Sequence, residues 1–271
     1  MRIVAFESVD GAGIGVVEDG FVYPTGHLSF QEFLEAPDSP SRDAPLALAD
    51  VTLRAPVARP SKLIFSGINY ASHLDENPNG VLPDEPVFFA KLPSAVVGPG
   101  DAIRVPYEGC HVDYEVELAI VIGKRAHRVS IDDALEAVFG YTVINDVSAR
   151  DVQFRNAQIT LGKNYDTFCP LGPVVVSRDE LPDIASVALR TTVNGEVRQS
   201  ALAGEMIFPI PRLVSRVSEV MTLEPGDIIT TGSPSGVGCF RDPPTYLEPG
   251  DLVIVEVEGI GSLANPVVAG W

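Results

Sequence analysis

Short segments with the composition of β-strands recur along this sequence and constrain its fold more than any other feature. They are rich in β-branched and aromatic residues, and each is bounded by turn-forming residues. The segments span residues 62–68, 87–91, 112–122, 141–146, 174–176, 187–193, 227–231 and 252–258. The chain also contains 24 Gly and 23 Pro, which suit tight turns between short strands. The pattern predicts a core that is mostly β.

Two segments have the features of helices. Ser130 and Asp133 provide N-cap and third-position chemistry for a helix over IDDALEAVFG. Residues 209–221 place apolar side chains on one helical face, a pattern typical of core packing. A few helices among many strands predict an α+β fold.

The first 55 residues read as a small unit of their own. An apolar run over residues 3–6 is followed by a hairpin-like return through Gly13. The segment 54–62 then carries two prolines, which are breaker signals and mark a joint. We therefore predict a small N-terminal domain at 1–58 and a larger catalytic domain at 59–271.

Charge and composition narrow the class of function. The formal net charge is −18, with 19 Lys and Arg against 37 Asp and Glu, so the field of the protein repels nucleic acids and anionic membranes. An anionic substrate would then need a bound cation or placed basic side chains. No signal peptide or long apolar run is present, which predicts a cytoplasmic protein. Three cysteines without metal-ligand spacing, Cys110, Cys169 and Cys239, predict reduced thiols.

The segment HVDYEVELAIVIGK carries the strongest chemical signal. Side chains alternate along a strand, so Glu115 and Glu117 project from one face, about 7 Å apart. Alone, this pattern fits a solvated polar face equally well. The strand continues through residues 119–122, apolar on both faces, which indicates burial. Asp146 ends the next strand-like run, after an expected helical crossover, where it could join the pair. Three oxygen ligands without a Cys/His cluster favour Mg²⁺ or Mn²⁺ over Zn²⁺.

His111 and Asp113 lie four and two residues before Glu115, so in an extended strand their side chains would project from the same face as the two glutamates. We expect them to support the site at most, with His111 in the approach loop.

Many segments of the chain resemble the fumarylacetoacetate hydrolase family, in the right order from Lys62 to Val267. They include FSGINYASH, EPVFFAKLPSAVVGPGD, VDYEVELAIVIGK, GYTVINDVSARD, LGKNYDTFCPLGP, VNGEVRQ and LEPGDIITTGSPSGVG. The resemblance implies a β-rich roll of mixed sheets with flanking helices, a homodimer, a Mg²⁺ or Mn²⁺ site and a part in aromatic catabolism.

The family motifs also imply roles for individual residues. Glu115, Glu117 and Asp146 match the metal ligands, and Lys163 matches a lysine that holds the substrate's carboxylate or oxyanion. Gln153 and Ser233 match substrate-binding positions. Ser233 stands where the family usually has threonine, which keeps the hydroxyl but makes the pocket slightly roomier.

A histidine and a glutamate complete the expected site. His73 closes the NYASH motif, and Glu76, three residues later, is close enough on a helical turn to orient the imidazole as a general base. Residues 74–86, LDENPNGVLPDEP, have the polar composition of a lid over the substrate. The structural alternative for His73 is a turn-capping residue.

The resemblance implies an enzyme that acts on a small 2-oxo acid. We expect hydrolysis of a carbon–carbon bond in an acylpyruvate through an enolate stabilised by the metal. The same site could instead decarboxylate oxaloacetate or isomerise 2-hydroxyhepta-2,4-diene-1,7-dioate. The alternative from another functional class is a catalytically inactive protein that binds metabolites. Against it stands the presence of the candidate catalytic residues His73, Glu76 and Lys163 and of the three carboxylates.

Overall fold

A computed structural model describes residues 1–36, 40–41, 44–77, 80–155 and 158–270 of the chain. The strands are β1 (Arg2–Ser8), β2 (Gly11–Glu18), β3 (Phe21–Pro24), β4 (Leu46–Ala47), β5 (Thr52–Arg54), β6 (Leu63–Ser66), β7 (Phe88–Ala90), β8 (Val96–Val97), β9 (Ile103–Val105), β10 (Val112–Asp113), β11 (Val116–Ile122), β12 (Val138–Asn145), β13 (Ser148–Ala149), β14 (Cys169–Ser177), β15 (Ala188–Val193), β16 (Glu196–Leu202), β17 (Ile228–Thr230), β18 (Leu252–Val257) and β19 (Gly261–Ala269). The α-helices are α1 (Phe30–Glu35), α2 (Ala71–Glu76), α3 (Arg150–Gln153), α4 (Ile159–Lys163) and α5 (Ile210–Val220).

A large mixed sheet forms the centre of the molecule, in the order β4-β3-β2-β1-β14-β12-β11-β17-β6-β7. A second sheet, β16-β15-β18-β19-β9, packs against it through contacts of β15, β18 and β19 with β11, β12 and β14. Most neighbours are antiparallel, while β17 with β6 and β19 with β9 are parallel. This arrangement confirms the α+β prediction of a mixed-sheet roll.

The strand β11 is buried on both faces, as its apolar run predicts. Val116, Leu118 and Ile120 belong to the hydrophobic core between the two sheets. Ala119 and Val121 point the other way, into a second core that contains Phe65 and the α1 residue Phe33. Glu117 has the parity of Ala119, so its carboxylate enters the protein on the side of the second core.

The helix predicted over IDDALEAVFG is wrong. The Ser130 hydroxyl does accept from the Asp133 backbone N–H at 3.1 Å, but only a short 3₁₀ turn, Ala134–Ala137, follows. Val138 already begins β12 and pairs with Ile122 of β11. Because β11 and β12 are antiparallel neighbours, the expected helical crossover between them is also wrong. The capping chemistry is local, whereas sheet pairing decides the conformation of the β-branched and aromatic end of the segment.

The predicted helix over residues 209–221 is confirmed as α5, with Pro209 as its N-cap residue and Met221 as its C-cap residue. Its buried face, which includes Ile210, Leu213 and Val217, packs into the core between the sheets.

The N-terminal strands join the central sheet directly. Arg2 and Ile3 of β1 pair with Val176 and Val175 of β14. The division into domains at residues 1–58 and 59–271 stays a prediction. In the described part of the chain, no helix is long and apolar enough to cross a membrane.

Candidate active site

Three buried carboxylates meet where β11 begins and β12 ends. Pairing of Val116 with Asn145 places the end of one strand beside the start of the other, and the Asp146 backbone N–H donates to the Glu115 carbonyl at 2.8 Å. Glu115, Glu117 and Asp146 each offer an oxygen, and these oxygens lie within 4.8 Å of one another. The three side chains predicted as metal ligands are therefore brought together.

The donor set fits a hard divalent cation. Oxygen ligands of this kind suit Mg²⁺ or Mn²⁺, and the cluster contains neither sulfur nor imidazole. Glu115, Glu117 and Asp146 are the residues that would hold the ion. Like charges so close together in a buried place are costly unless a cation or a proton neutralises them.

Basic side chains already neutralise two of the carboxylates. Lys163 is buried and its Nζ lies 2.5 Å from Glu115 Oε2 and 2.6 Å from Asp146 Oδ2. Burial lowers the pKa of Lys163, but the charges of Asp146 and Glu115 outweigh burial and raise it, so the ammonium form is favoured. Lys91 reaches Asp146 from the other side, with Nζ 2.5 Å from Oδ1.

Arg150 neutralises Glu115 from the side of α3. Its guanidinium contacts Glu115 Oε1 at 2.7 Å and Asp113 Oδ2 at 2.9 Å, and all three side chains are buried. Burial tends to raise the pKa of Glu115, but the nearby charges of Arg150 and Lys163 hold it well below its usual range. Glu115 is therefore an ionised carboxylate in the core.

Glu117 differs from its two neighbours because no basic side chain pairs with it among the described ion pairs. Burial raises its pKa well above the usual range, and the negative charges of Asp146 and Glu115 raise it further. Its Oε2 accepts a 3.3 Å hydrogen bond from the Gly232 backbone N–H. Burial and these charges therefore act towards the neutral form of Glu117, and a cation held by the cluster would act in the opposite direction.

The predicted base lies beside this cluster. His73 and Glu76 are on α2, with His73 Nδ1 2.6 Å from Glu76 Oε1, so the carboxylate fixes the imidazole. His73 Nε2 is 4.0 Å from Glu115 Oε1. The second oxygen of Glu76 accepts from the Gly236 backbone N–H at 2.8 Å. With Nδ1 donating to Glu76, Nε2 is the basic nitrogen that faces the carboxylates.

A cavity of about 270 Å³ lies over the carboxylates, which we call the carboxylate cavity. It is lined by His73, by the three acids and by all three predicted substrate-binding residues, Gln153, Ser233 and Lys163. Its remaining wall is largely apolar and includes Phe89, Phe154, Ile159 and Phe240. Val81 and Pro83 of the predicted lid also line it, while residues 78–79 of that lid lie outside the described residues.

Other candidates have different surroundings. His111 is exposed and stacks on Tyr246 with ring centroids 4.4 Å apart, so it takes no part in the carboxylate cluster. Asp113 supports the site through Arg150, as its parity with the glutamates suggests. Burial raises the pKa of the Cys169 thiol to about 12, which disfavours a nucleophilic thiolate.

Sequence reasoning missed Lys91 and Arg150. Lys91 ends an otherwise apolar strand-like run, and Arg150 stands two residues after a buried serine in the SARD motif. A basic residue that terminates an apolar segment was the available signal in the first case.

The chain is similar to known proteins over nearly its whole length. The fumarylacetoacetate (FAA) hydrolase C-terminal family model matches residues 62–268. The mitochondrial oxaloacetate tautomerase FAHD2A of Bos taurus is 44% identical, over 99% of this chain and 92% of its own length. The oxaloacetate tautomerase YisK of Bacillus subtilis is 39% identical, over 98% of this chain and 89% of its own length.

Solved structures extend the comparison to the fold. Fumarylacetoacetate hydrolase from Exiguobacterium antarcticum superposes with a TM-score of 0.90 at 41% identity, covering 99% of both chains. The 2-hydroxyhepta-2,4-diene-1,7-dioate isomerase from Mycobacterium marinum gives 0.84 at 39%, covering 99% of this chain and 98% of the other. Together with the fold, these similarities define the class of the protein, an enzyme that acts on small organic acids. The chain belongs to the fumarylacetoacetate hydrolase family.

Proposed function

We propose that this enzyme depends on a divalent metal and moves a proton on a small 2-oxo acid of the oxaloacetate type, interconverting its keto and enol forms. The observation that carries the proposal is the position of the oriented imidazole of His73, with Nε2 4.0 Å from a carboxylate of the cluster. Relatives named oxaloacetate tautomerase support the same reaction.

The polar groups of the carboxylate cavity suit an anion rich in oxygen. Gln153 Oε1 accepts from Arg150 Nη1 at 3.0 Å, which turns the amide nitrogen of Gln153 away from the guanidinium. Lys163 Nζ is a second donor at the cluster. Amide and ammonium donors stabilise the carboxylate and the developing enolate oxygen of a 2-oxo acid.

The base would act on the carbon next to the keto group. His73 Nε2 takes a proton from that carbon, the C–H electron pair forms the carbon–carbon double bond, and the carbonyl electrons move to oxygen. The imidazolium then returns the proton to this oxygen, which completes the enol. Glu76 stabilises the imidazolium through Nδ1. A cation held by the three carboxylates would supply the positive charge that favours the enolate over the keto form.

Hydrolysis of a carbon–carbon bond, the reaction expected from sequence, is the second proposal. The apolar wall of Phe89, Phe154 and Phe240 favours it, because an acid longer than oxaloacetate would place a carbon chain there. The same wall would suit isomerisation of a dienoate. The metal as Mg²⁺ or Mn²⁺, a homodimer and a cytoplasmic location are further proposals.

Ultraviolet absorption of the enol tests the first proposal. The wild-type chain with Mg²⁺ or Mn²⁺ should accelerate equilibration of oxaloacetate, and removal of the metal by a chelator should stop it. His73→Ala should slow turnover by about 10²- to 10⁴-fold while oxalate binding is retained. His127→Ala changes an exposed histidine outside the cavity lining and is the matched control. Hydrolysis of acylpyruvates without tautomerase activity would instead select the second proposal.

A further inference from the structure

A buried glutamine lies directly behind Ser233 of the carboxylate cavity. Gln199 is on β16 and is 1% exposed. Its amide nitrogen donates to Ser233 Oγ and to the Pro234 carbonyl, both at 2.8 Å. Its oxygen accepts from Thr191 Oγ1 at 2.7 Å and from the Val116 backbone N–H at 3.0 Å. All four hydrogen-bonding positions of this amide are used within the protein.

The two backbone partners fix which way the amide faces. The Val116 N–H can only donate, so it requires the amide oxygen of Gln199. The Pro234 carbonyl can only accept, so it requires the amide nitrogen. A rotated amide would place two donors together at Val116 and two acceptors together at Pro234. The nitrogen of Gln199 must therefore face Ser233.

This orientation determines what Ser233 can offer. Its oxygen accepts from Gln199, so its own proton has to point elsewhere. Within the described part of the chain, the Ser233 hydroxyl donates to no protein acceptor, although the side chain is only 3% exposed. Ser233 lines the carboxylate cavity with His73 and Lys163, and the free direction of its hydroxyl is this cavity.

We propose that Gln199 is a positioning residue that makes the Ser233 hydroxyl a hydrogen-bond donor to a negatively charged oxygen of the substrate. The proposal rests on the proposed function, since it takes a 2-oxo acid as the occupant of the cavity. Gln199 touches no substrate and acts only through Ser233. A donor fixed in this way favours a carboxylate or enolate oxygen over a group that itself donates.

A double-mutant cycle between Gln199 and Ser233 tests the proposal. In the metal-loaded full chain, Ser233→Ala should reduce kcat/KM for oxaloacetate, affinity for oxalate, or both, by about 10- to 100-fold, as expected for loss of one hydrogen bond to a charged group. Gln199→Glu keeps the acceptor for Val116 and Thr191 but replaces the amide nitrogen with oxygen, so the hydrogen bonds to Ser233 Oγ and to the Pro234 carbonyl are both lost. The Ser233 hydroxyl would then donate to the carboxylate at position 199 instead of to the substrate. The fall in kcat/KM or in oxalate affinity should match that of Ser233→Ala.

The combined variant distinguishes positioning from a structural role. If Gln199 acts through Ser233, Gln199→Glu should cause little further loss once Ser233 is alanine. Equal losses in both backgrounds, or no loss in Ser233→Ala, would overturn the proposal. Gln199→Met removes the amide without adding charge and replaces Gln199→Glu in the cycle if that variant does not fold. Gln31→Glu, an exposed glutamine of α1, is the matched control.

Failure of the proposed function has a different signature. A wild-type chain that binds oxalate but turns over neither oxaloacetate nor an acylpyruvate would refute the proposed reaction. The cycle would then still decide the role of Gln199 through oxalate affinity.

Discussion

Asp113→Asn should destabilise the protein strongly, because this buried carboxylate accepts four hydrogen bonds. Oδ1 accepts from the backbone N–H groups of Tyr114 at 2.9 Å and Gly238 at 2.7 Å. Oδ2 accepts from Arg150 Nε at 2.9 Å and the Cys239 N–H at 3.0 Å. Whichever way the asparagine amide turns, its NH₂ group faces two donors, and two of the four hydrogen bonds are lost.

The magnitude follows from these contacts. Each buried N–H left without an acceptor costs about 1–3 kcal/mol, and breaking a buried ion pair costs about 3–5 kcal/mol. Arg150 keeps Glu115 as a partner, so we expect a total of about 3–5 kcal/mol rather than the sum. At about 2–4 °C per kcal/mol for a protein somewhat smaller than this one, the melting temperature should fall by about 6–20 °C.

Urea and thermal unfolding of the metal-free protein, followed by circular dichroism, measure this loss. The control is Glu224→Gln, which breaks the exposed ion pair with Arg125 and should cost less than about 1 kcal/mol. A loss in Asp113→Asn no larger than in the control would refute the reasoning that this carboxylate holds Arg150 and the Gly238 loop in place.

Four further predictions concern the cluster and α2. Glu117 has a raised pKa from burial and from the charges of Asp146 and Glu115, so the metal-free fold should lose stability as pH rises through that pKa, and Glu117→Gln should remove this loss in pH-dependent unfolding measurements. Below that pKa, the metal must displace the proton, so calorimetry should show affinity rising up to about tenfold per pH unit. Lys163→Met should weaken oxalate binding and turnover together, because its charge acts on both bound substrate and transition state; loss of turnover alone would contradict this role. Amide exchange in α2 should slow when oxalate binds the metal-loaded protein, and unchanged exchange would argue against a closing lid.

The fold could be predicted to the level of its strands, and the errors lie where distant pairing overrides local chemistry. The apolar runs around Val116 and Ile228 became strands because both faces of the sheet are covered. Ser130 with Asp133 has genuine capping contacts, yet pairing of Val138 with Ile122 turns the segment into sheet. No local sequence pattern indicates that these two residues pair.

The acids of the site were predictable, whereas their partners were not. Glu117 lies on β11 and Glu115 directly precedes that strand, so the alternation expected of an extended segment already placed both side chains on one face. Asp146 joins them through the antiparallel register of β11 and β12 rather than through the expected crossover. Its place beside the glutamates could still be predicted, because the end of the strand before it was assigned correctly. Lys91, Arg150 and Gln199 lie 55, 35 and 83 residues from the groups they contact at Asp146, Glu115 and Val116. A single basic or amide side chain in a sequence has no periodicity that shows what it meets across such distances.

The Glu76 carboxylate contacts the His73 ring through one oxygen and accepts a hydrogen bond from the Gly236 backbone N–H through the other. The same carboxylate therefore orients the imidazole and attaches α2 to the loop that contains Gly236. Any displacement of α2 from that loop would therefore also release the imidazole from its fixed orientation. On the proposed function, an acid that bound while α2 was displaced would meet no aligned base, so the proposed reaction would require α2 in the position described here.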